Sequence, residues 1–433
     1  MADTIAALAS GRPPAALAVV RVSGPQAGAA LARLTRCPLP PPRRLSLRAL
    51  HDPRDGGLLD RALTVWFPGP ASASGEDLAE LHLHGGPAVV SGVLDALLSL
   101  PGVRLAAPGE FTRRAFANQR LTLDEVEGLA DLVSAETAHQ RNQALALAGG
   151  ALGRLADDWR RRCLSVLAEA EAGLDFAEDE ADVAARLDEK AAVALCAMAT
   201  ELEDQLADAA RASRIRDGLT IIVQGPPNVG KSSLVNALAQ RDIAIVTNVP
   251  GTTRDLIETA LDLDGQAAVL IDTAGLRETQ DPVEAQGIAR ARARAATADL
   301  ILHLSDNPAS SFPAQENVLP ILTKSDLHHA PAPHHGFSLS AETGEGLSAL
   351  RLHLSKWASE TLRPGEPALL AHARHRDVFA QAVAALREAA DAPLPELRAE
   401  SLRHAAHSFA RITGRIEVDE VLDRIFSNFC IGK

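Results

Sequence analysis

The sequence predicts a multidomain chain that is part α/β and part all-α: a small mixed α/β domain, a discontinuous helical domain, and a phosphate-loop nucleotide domain inserted into the helical one. Three observations predict it. Short apolar runs broken by Pro and Gly fill residues 1–117. Helix-period apolar spacing fills 118–218 and returns over 361–433. Between them, in 219–360, an apolar strand runs into a glycine-rich turn and then a helix. A length of 433 residues exceeds one ordinary core and agrees with several domains.

In the first region "ALAVVRVSG" (16–24), "ALTVWFPGP" (62–70) and "LAELHLHGG" (78–86) read as strands, and "AVVSGVLDALLSL" (88–100) as a helix. "CPLPPPRR" (37–44) is a loop, since its prolines lack ladder donors. At Thr122 the pattern turns helical: Thr122 and Glu125 form a capping-box signal before Val126, Leu129, Ala130 and Val133. "LCAMATELEDQLADAARA" (195–212) spaces Leu195, Leu202 and Leu206 along one long helix. "SETLRPGEPALL" (359–370) marks the exit from the nucleotide domain, and "DVFAQAVAALREAADA" and "VDEVLDRIFSNF" resume the helical spacing.

A net charge of -13 argues against nonspecific coating of nucleic acid, though not against a local basic groove. Cys37, Cys163, Cys196 and Cys430 lie far apart with no CxxC, which excludes a thiolate metal cluster or dithiol redox pair as a sequence reading and suits a reduced cytoplasm. No signal segment or apolar run long enough to span a bilayer is read, so no membrane insertion is expected. The paired histidines of "HHAPAPHH" (328–335) sit in a Pro/Ala loop, a poor rigid scaffold for a metal, and the compact stretch from Ser305 to Phe337 is expected to alter a peripheral helix.

The chemistry is concentrated in "LTIIVQGPPNVGKSSLVNALAQ" (219–240). Its Gly225-Pro226-Pro227-Asn228-Val229-Gly230-Lys231-Ser232 is a phosphate loop in the strand–loop–helix context the motif requires. Glycines let backbone N–H groups wrap the phosphates, Lys231 neutralises them, and Ser232 offers a hydroxyl to Mg²⁺. "TNVPGTTRD" (247–255) supplies paired threonines; alone it is as readily a plain connection. "AAVLIDTAG" (267–275) ends a strand in Asp272-Thr273-Ala274-Gly275, a carboxylate for the metal and a flexible amide for the γ phosphate. "VLPILTKSDL" (318–327) ends another in Thr323-Lys324-Ser325-Asp326, and Asp326 can accept both N–H groups of a guanine Watson–Crick edge, which adenine does not offer. "SLSAETGEG" (338–346) places Ser340, Ala341 and Glu342 where a loop closes over the base. Together they predict a Ras-like GTP-binding domain with Thr323 where such motifs usually carry Asn, altering one base-side hydrogen bond. Leu276 can neither orient water nor take its proton, which leaves Glu278, Asp281 and Glu284 as candidates. There is no certain internal arginine finger; the Asn228 side-chain oxygen can instead help hold a monovalent cation beside the phosphates.

These motifs, with "GEFTRRAFANQRLTLDEVEGLADL" (109–132), "AIVTNVPGTTRD", "DTAGLRET" and the ending "RIFSNFCIGK", resemble the bacterial tRNA-modification GTPases of the MnmE (TrmE) family over essentially the whole chain. The resemblance implies a homodimer with an N-terminal folate-binding and dimerisation domain (1–117), a helical domain (118–218 and 361–433) and an inserted G domain (219–360). It implies work with the flavoprotein MnmG, which carries FAD, on C5 of the wobble uridine of certain tRNAs, using 5,10-methylenetetrahydrofolate or 5-formyltetrahydrofolate. Arg21, Glu80, Arg120 and Lys433 then face the folate, although Arg21, Glu80 and Arg120 alone read as structural salt bridges. Asn228, Thr247, Val249 and Thr252 are the implied K⁺ ligands, Ser232 and Thr253 the Mg²⁺ ligands, and Glu284 the catalytic glutamate. The GTP site spans Asn228, Val229, Gly230, Lys231, Ser232, Ser233, Thr247, Asn248, Val249, Pro250, Gly251, Thr252 and Thr253, with the Asp272, Thr323 and Ser340 segments. Cys430 is the implied modification-site thiol, with apolar packing or local organisation of folate or tRNA as the other readings. A GTP-regulated RNA-binding or ribosome-assembly factor is the competing function; a metabolic kinase explains less of the sequence.

Overall fold

The computed structural model describes residues 3–176, 181–239, 258–272, 296–328, 330–363, 368–414 and Gly432. The N-terminal unit is a six-stranded sheet in the order β3-β4-β5-β2-β1-β6. Its strands are β1 (Thr4–Leu8), β2 (Leu17–Ser23), β3 (Ser46–His51), β4 (Leu58–Phe67), β5 (Leu78–His84) and β6 (Val103–Leu105). Only β1 with β6 is parallel; the other pairs are antiparallel.

Alternation fixes what each face does. In β2, Ala18, Val20 and Val22 are buried with Leu31 and Leu34 of α1 (Ala27–Thr35) and Val93 and Leu97 of α2 (Pro87–Leu98), forming the main core. The intervening residues point to the opposite face, where Ile5, Ala7, Ala106 and Phe111 make a smaller cluster beside α3 (Glu110–Ala117). The register Arg21↔Glu80 sets those two residues opposite each other.

An ion network ties α3 to the sheet. Arg104 bonds Glu110 at 2.8 Å and also contacts Asp3, while Arg114 reaches Asp3 at 2.8 Å, Glu76 at 3.1 Å and Glu110 at 3.0 Å. Glu110 also accepts the Ala107 N–H at 2.9 Å. Burial alone raises the Glu110 carboxyl, but these donors outweigh it and hold it down at about 2.

The helical segments are α4 (Leu123–Ser134), α5 (Ala138–Ala148), α6 (Ala151–Phe176), α7 (Ala181–Ala207), α8 (Ala209–Asp217), α12 (Ala373–Asp391) and α13 (Pro395–Ile412). At Thr122 half of the expected capping box forms: Glu125 accepts the Thr122 N–H at 2.8 Å. The Thr122 hydroxyl is turned instead to Asp124 at 2.7 Å, and Asp124, whose carboxyl burial pushes up, also accepts the Gly153 N–H at 2.8 Å. A complete box sits at Thr137 and Gln140, heading α5. The helix expected over 195–212 is interrupted at Asp208, between α7 and α8. α12 lies along α7; Leu195, Ala199 and Leu202 on one and Phe379, Ala382 and Leu386 on the other are buried, and Arg387 bonds Glu203 at 2.8 Å. The expected helix at "VDEVLDRIFSNF" lies outside the described residues.

The nucleotide domain has a second six-stranded sheet, β12-β11-β10-β7-β9-β8. It comprises β7 (Leu219–Gln224), β8 (Glu258–Leu263), β9 (Gln266–Asp272), β10 (Leu300–Ser305), β11 (Val318–Leu322) and β12 (Phe337–Ser338). All its pairs are parallel except the β8–β9 hairpin. α9 (Lys231–Leu238) and α11 (Leu347–Leu362) accompany it. The helix after β11, α10 (Ser325–His328), is one turn long.

Glu110 gives a pH prediction. Its folded value lies below the ordinary carboxylate value of 4.5, so its contribution is present above that value and is lost as pH falls toward about 2. Glu110→Gln should lower stability at pH 7 by about 1–3 kcal/mol and shrink the fall in urea midpoint between pH 7 and pH 3; an unchanged fall would contradict this.

Candidate functional site

β7 is a central strand with Leu219 to Val223 buried, so the chain leaves the sheet at Gln224 and turns at once. Gly225, at φ +153°, makes that turn; a Cβ there would lie 2.4 Å from the Leu304 carbonyl oxygen. Asn228 is left-handed at φ 60° and Gly230 at φ 99°, which brings the loop to the start of α9. Lys231 lies back over the loop, its Nζ donating to the Gly225 carbonyl at 3.0 Å and the Pro226 carbonyl at 2.9 Å.

β9 runs parallel to β7 in the register Val223↔Asp272, so the strand ending in the carboxylate stops beside the loop. Ser232 Oγ donates to Asp272 Oδ2 at 2.6 Å, and Asp272 is buried. A hydroxyl on the first turn of a helix and a carboxylate at the end of the neighbouring strand, next to a lysine, fit a magnesium–phosphate seat. Ser233 follows on the same turn, exposed.

The base corner forms at the end of β11. Thr323 is buried, its N–H bonded to the Ser305 carbonyl at 2.8 Å and its hydroxyl to the Val229 carbonyl at 2.7 Å. The threonine therefore ties the corner to the phosphate loop, rather than simply altering a contact to the base. Lys324, at φ 60°, pairs with Asp306 at 2.7 Å. Ser325 N donates to Leu339 O at 3.2 Å and its hydroxyl to Glu345 at 3.1 Å, while Ser340 N donates to Glu345 O at 3.0 Å. Those bonds hold the turn bearing Ala341 and Glu342 against the corner. Asp326 is half-buried, and its carboxylate accepts no hydrogen bond from the described residues.

In the N-terminal unit Arg21 donates to Glu80 Oε1 through Nε at 3.0 Å and Nη2 at 2.8 Å, and lies 5.7 Å from the centre of the Phe111 ring. His82 stands 3.4 Å from the other Glu80 oxygen. Arg120 is exposed and passes Gly75; no bond joins its side chain to the Arg21–Glu80 pair. Thr247, Asn248, Val249, Pro250, Gly251, Thr252, Thr253, Thr273, Ala274, Gly275, Glu278, Asp281, Glu284, Cys430 and Lys433 lie outside the described residues.

Asp306, Glu345 and His139 carry contacts that the sequence reading did not single out. His139, on α5, holds the β8–β9 turn: its N–H and Nδ1 meet the Gly265 carbonyl oxygen at 3.2 and 2.7 Å. The full Thr137–Gln140 box that heads α5 was the sequence signal available for it.

A phosphate loop closing a central parallel strand, an aspartate on the neighbouring strand bonded to the loop serine, and an aspartate at the base corner define a phosphate-loop GTPase domain, here set in a chain with an α/β N-terminal domain and helical segments. Family comparison agrees. Residues 4–120 match the model of the GTP-binding protein TrmE N-terminus and residues 123–430 that of the MnmE helical domain. A tRNA modification GTPase MnmE of Azorhizobium caulinodans is 50% identical over 100% of this chain and 99% of its own length. Those of Beijerinckia indica and Methylorubrum populi are 48% and 50% identical over 100% of this chain and 96% and 98% of theirs. The chain belongs to the MnmE (TrmE) family of GTPases.

Gly225→Ala should cost about 1–3 kcal/mol of stability from backbone strain and weaken GDP binding at least about tenfold, read by thermal melting and fluorescent-GDP titration. Wild-type affinity in a normally folded variant would contradict the loop geometry.

Proposed function

We propose that the chain is a potassium-stimulated, magnesium-dependent GTP hydrolase that acts as a homodimer with the flavoprotein MnmG. Together they add a carboxymethylaminomethyl or aminomethyl group, with a reduced folate as carbon source, to C5 of the wobble uridine U34 in certain tRNAs. The observation that carries this reading is 50% identity over the full chain to a tRNA modification GTPase MnmE. The Ser232–Asp272 pair at 2.6 Å supports it on the side of the nucleotide.

Within this reading Lys231 leaves the Gly225 and Pro226 carbonyls for the β and γ phosphate oxygens, and Ser232 with Thr253 holds Mg²⁺ while Asp272 orients that shell. Asn228, Thr247, Val249 and Thr252 seat K⁺. Ser232 and Thr253 on one side and Asn228, Thr247, Val249 and Thr252 on the other would hold the two cations, whose positive charge would offset the charge gathering on the phosphate oxygens. Glu284 directs the attacking water. In the N-terminal domain the Arg21–Glu80 pair, with Arg21 5.7 Å from the Phe111 ring centre, groups a donor, an acceptor and an aromatic face, which suits a pterin with its amide edge. Arg120 and Lys433 complete the folate set, and Cys430 is the thiol assigned to the modification site. FAD belongs to the partner.

Replacing Na⁺ by K⁺ at equal ionic strength should raise GTP turnover by more than about tenfold: the two ions carry the same charge but differ in size, so only the one that the Asn228, Thr247, Val249 and Thr252 oxygens can coordinate delivers its charge to the phosphates. Glu284→Ala should retain GTP affinity and slow single-turnover hydrolysis by about 10²-fold. Nucleoside analysis of tRNA from cells lacking the protein should show U34 without its C5 group, restored by the wild type and not by Glu284→Ala. Fully modified U34 in the deletion strain would refute the assignment.

A further inference from the structure

Thr323 has more bonds to make than donors with which to make them. Its side chain, 4% exposed, has one proton, and that proton is committed at 2.7 Å to the carbonyl of Val229, itself fully buried in the phosphate loop. The alternative acceptor, the Ser305 carbonyl, is farther away at 3.3 Å. The backbone N–H of Thr323 is spent on that same Ser305 oxygen at 2.8 Å. Its neighbour Lys324 has its ammonium on Asp306 at 2.7 Å. Among the described residues, the side-chain group at this corner that meets no hydrogen-bond partner is an acceptor: the Asp326 carboxylate.

A guanine nucleotide whose phosphates occupy the 225–232 loop and whose Watson–Crick edge meets Asp326 would span the corner that the Thr323–Val229 bond closes, with its imidazole edge turned away from Asp326. N7 on that edge has a lone pair and no proton, so only a donor can read it. An asparagine here would have two amide protons, one for the loop carbonyl and one for N7. A threonine has one.

We propose that Thr323 is a positioning residue for the phosphate loop, and that this chain reads guanine through Asp326 at N1 and the 2-amino group while leaving N7 unread. The inference rests on the reading of this domain as a GTP site. Its consequence is a base reading that is loose on one edge and strict on the other: 7-deaza guanine nucleotides are accepted as GTP is, whereas purines without the 2-amino group are rejected.

Calorimetric titration of the full chain with GDP, 7-deaza-GDP, IDP and ADP separates the possibilities. The wild type should bind GDP and 7-deaza-GDP within about twofold of each other, and IDP at least about tenfold more weakly, as expected for loss of one hydrogen bond to a charged carboxylate. Thr323→Asn should open a gap of about 3- to 10-fold between GDP and 7-deaza-GDP. Thr323→Val leaves the Val229 carbonyl unpaired and should weaken both ligands by the same factor, with their ratio still near one. A wild-type preference for GDP over 7-deaza-GDP above about fivefold, or a Thr323→Val variant that binds both as the wild type does, would overturn the proposal. Should Thr323→Asn fail to fold, the wild-type ratio alone decides. ADP bound as tightly as GDP would instead overturn the guanine reading beneath it.

Discussion

The parallel pairing of β7 with β9, which sets Val223 opposite Asp272, is the constraint on which the nucleotide site depends. Successive strand residues face opposite sides of a sheet, so a slip of one residue would turn Asp272 away from the loop. In the observed register the strand ends together with its neighbour, and the Asp272 carboxylate meets the Ser232 hydroxyl at 2.6 Å. The same burial on both faces that makes β7 central forces the chain out through Gly225, under the Leu304 carbonyl, where a side chain does not fit.

From this pair the site extends in two directions through bonds between elements distant in sequence. Toward the base, the Thr323 hydroxyl grips the Val229 carbonyl and Ser325 is bonded to Glu345, so phosphate loop, base corner and closing turn form one connected set. Toward the helical segments, the strand that ends in Asp272 begins at the turn clasped by His139 of α5. Asp272 and Gly265 are thus opposite ends of one hairpin, one end on the Ser232 hydroxyl and the other on a helix. Any movement of that hairpin on nucleotide binding must either carry α5 with it or break the clasp.

Much of this was legible in residue order because the determinants are local. The glycines at 225 and 230, the lysine and serine behind them, and apolar strands ending in Asp272 and Thr323 announce themselves within a few positions. So do β2, β4, β5 and α2. Less legible were β1, whose "TIAAL" is short and alanine-rich and becomes a strand by pairing with both β2 and β6, and the break at Asp208 in an otherwise continuous helical pattern. The Thr122 signal was half right because its hydroxyl is drawn to Asp124, whose carboxylate is also held by Gly153, a partner the capping rule does not consider. The Thr323–Val229 tie spans 94 positions and leaves no mark in either local motif. The Arg21–Glu80 ion pair follows from the β2–β5 register and is not marked in either local stretch, and no bond joins Arg120 to it.

Whether Asp272, held on the Ser232 hydroxyl, orients the Mg²⁺ shell of bound GTP is read most directly by titrating Mg²⁺ into single-turnover GTP hydrolysis by Asp272→Asn and the wild type. The variant should need at least about tenfold more Mg²⁺ for half its maximal rate, with nucleotide affinity in chelator unchanged. Superimposable Mg²⁺ curves for the two proteins would contradict it.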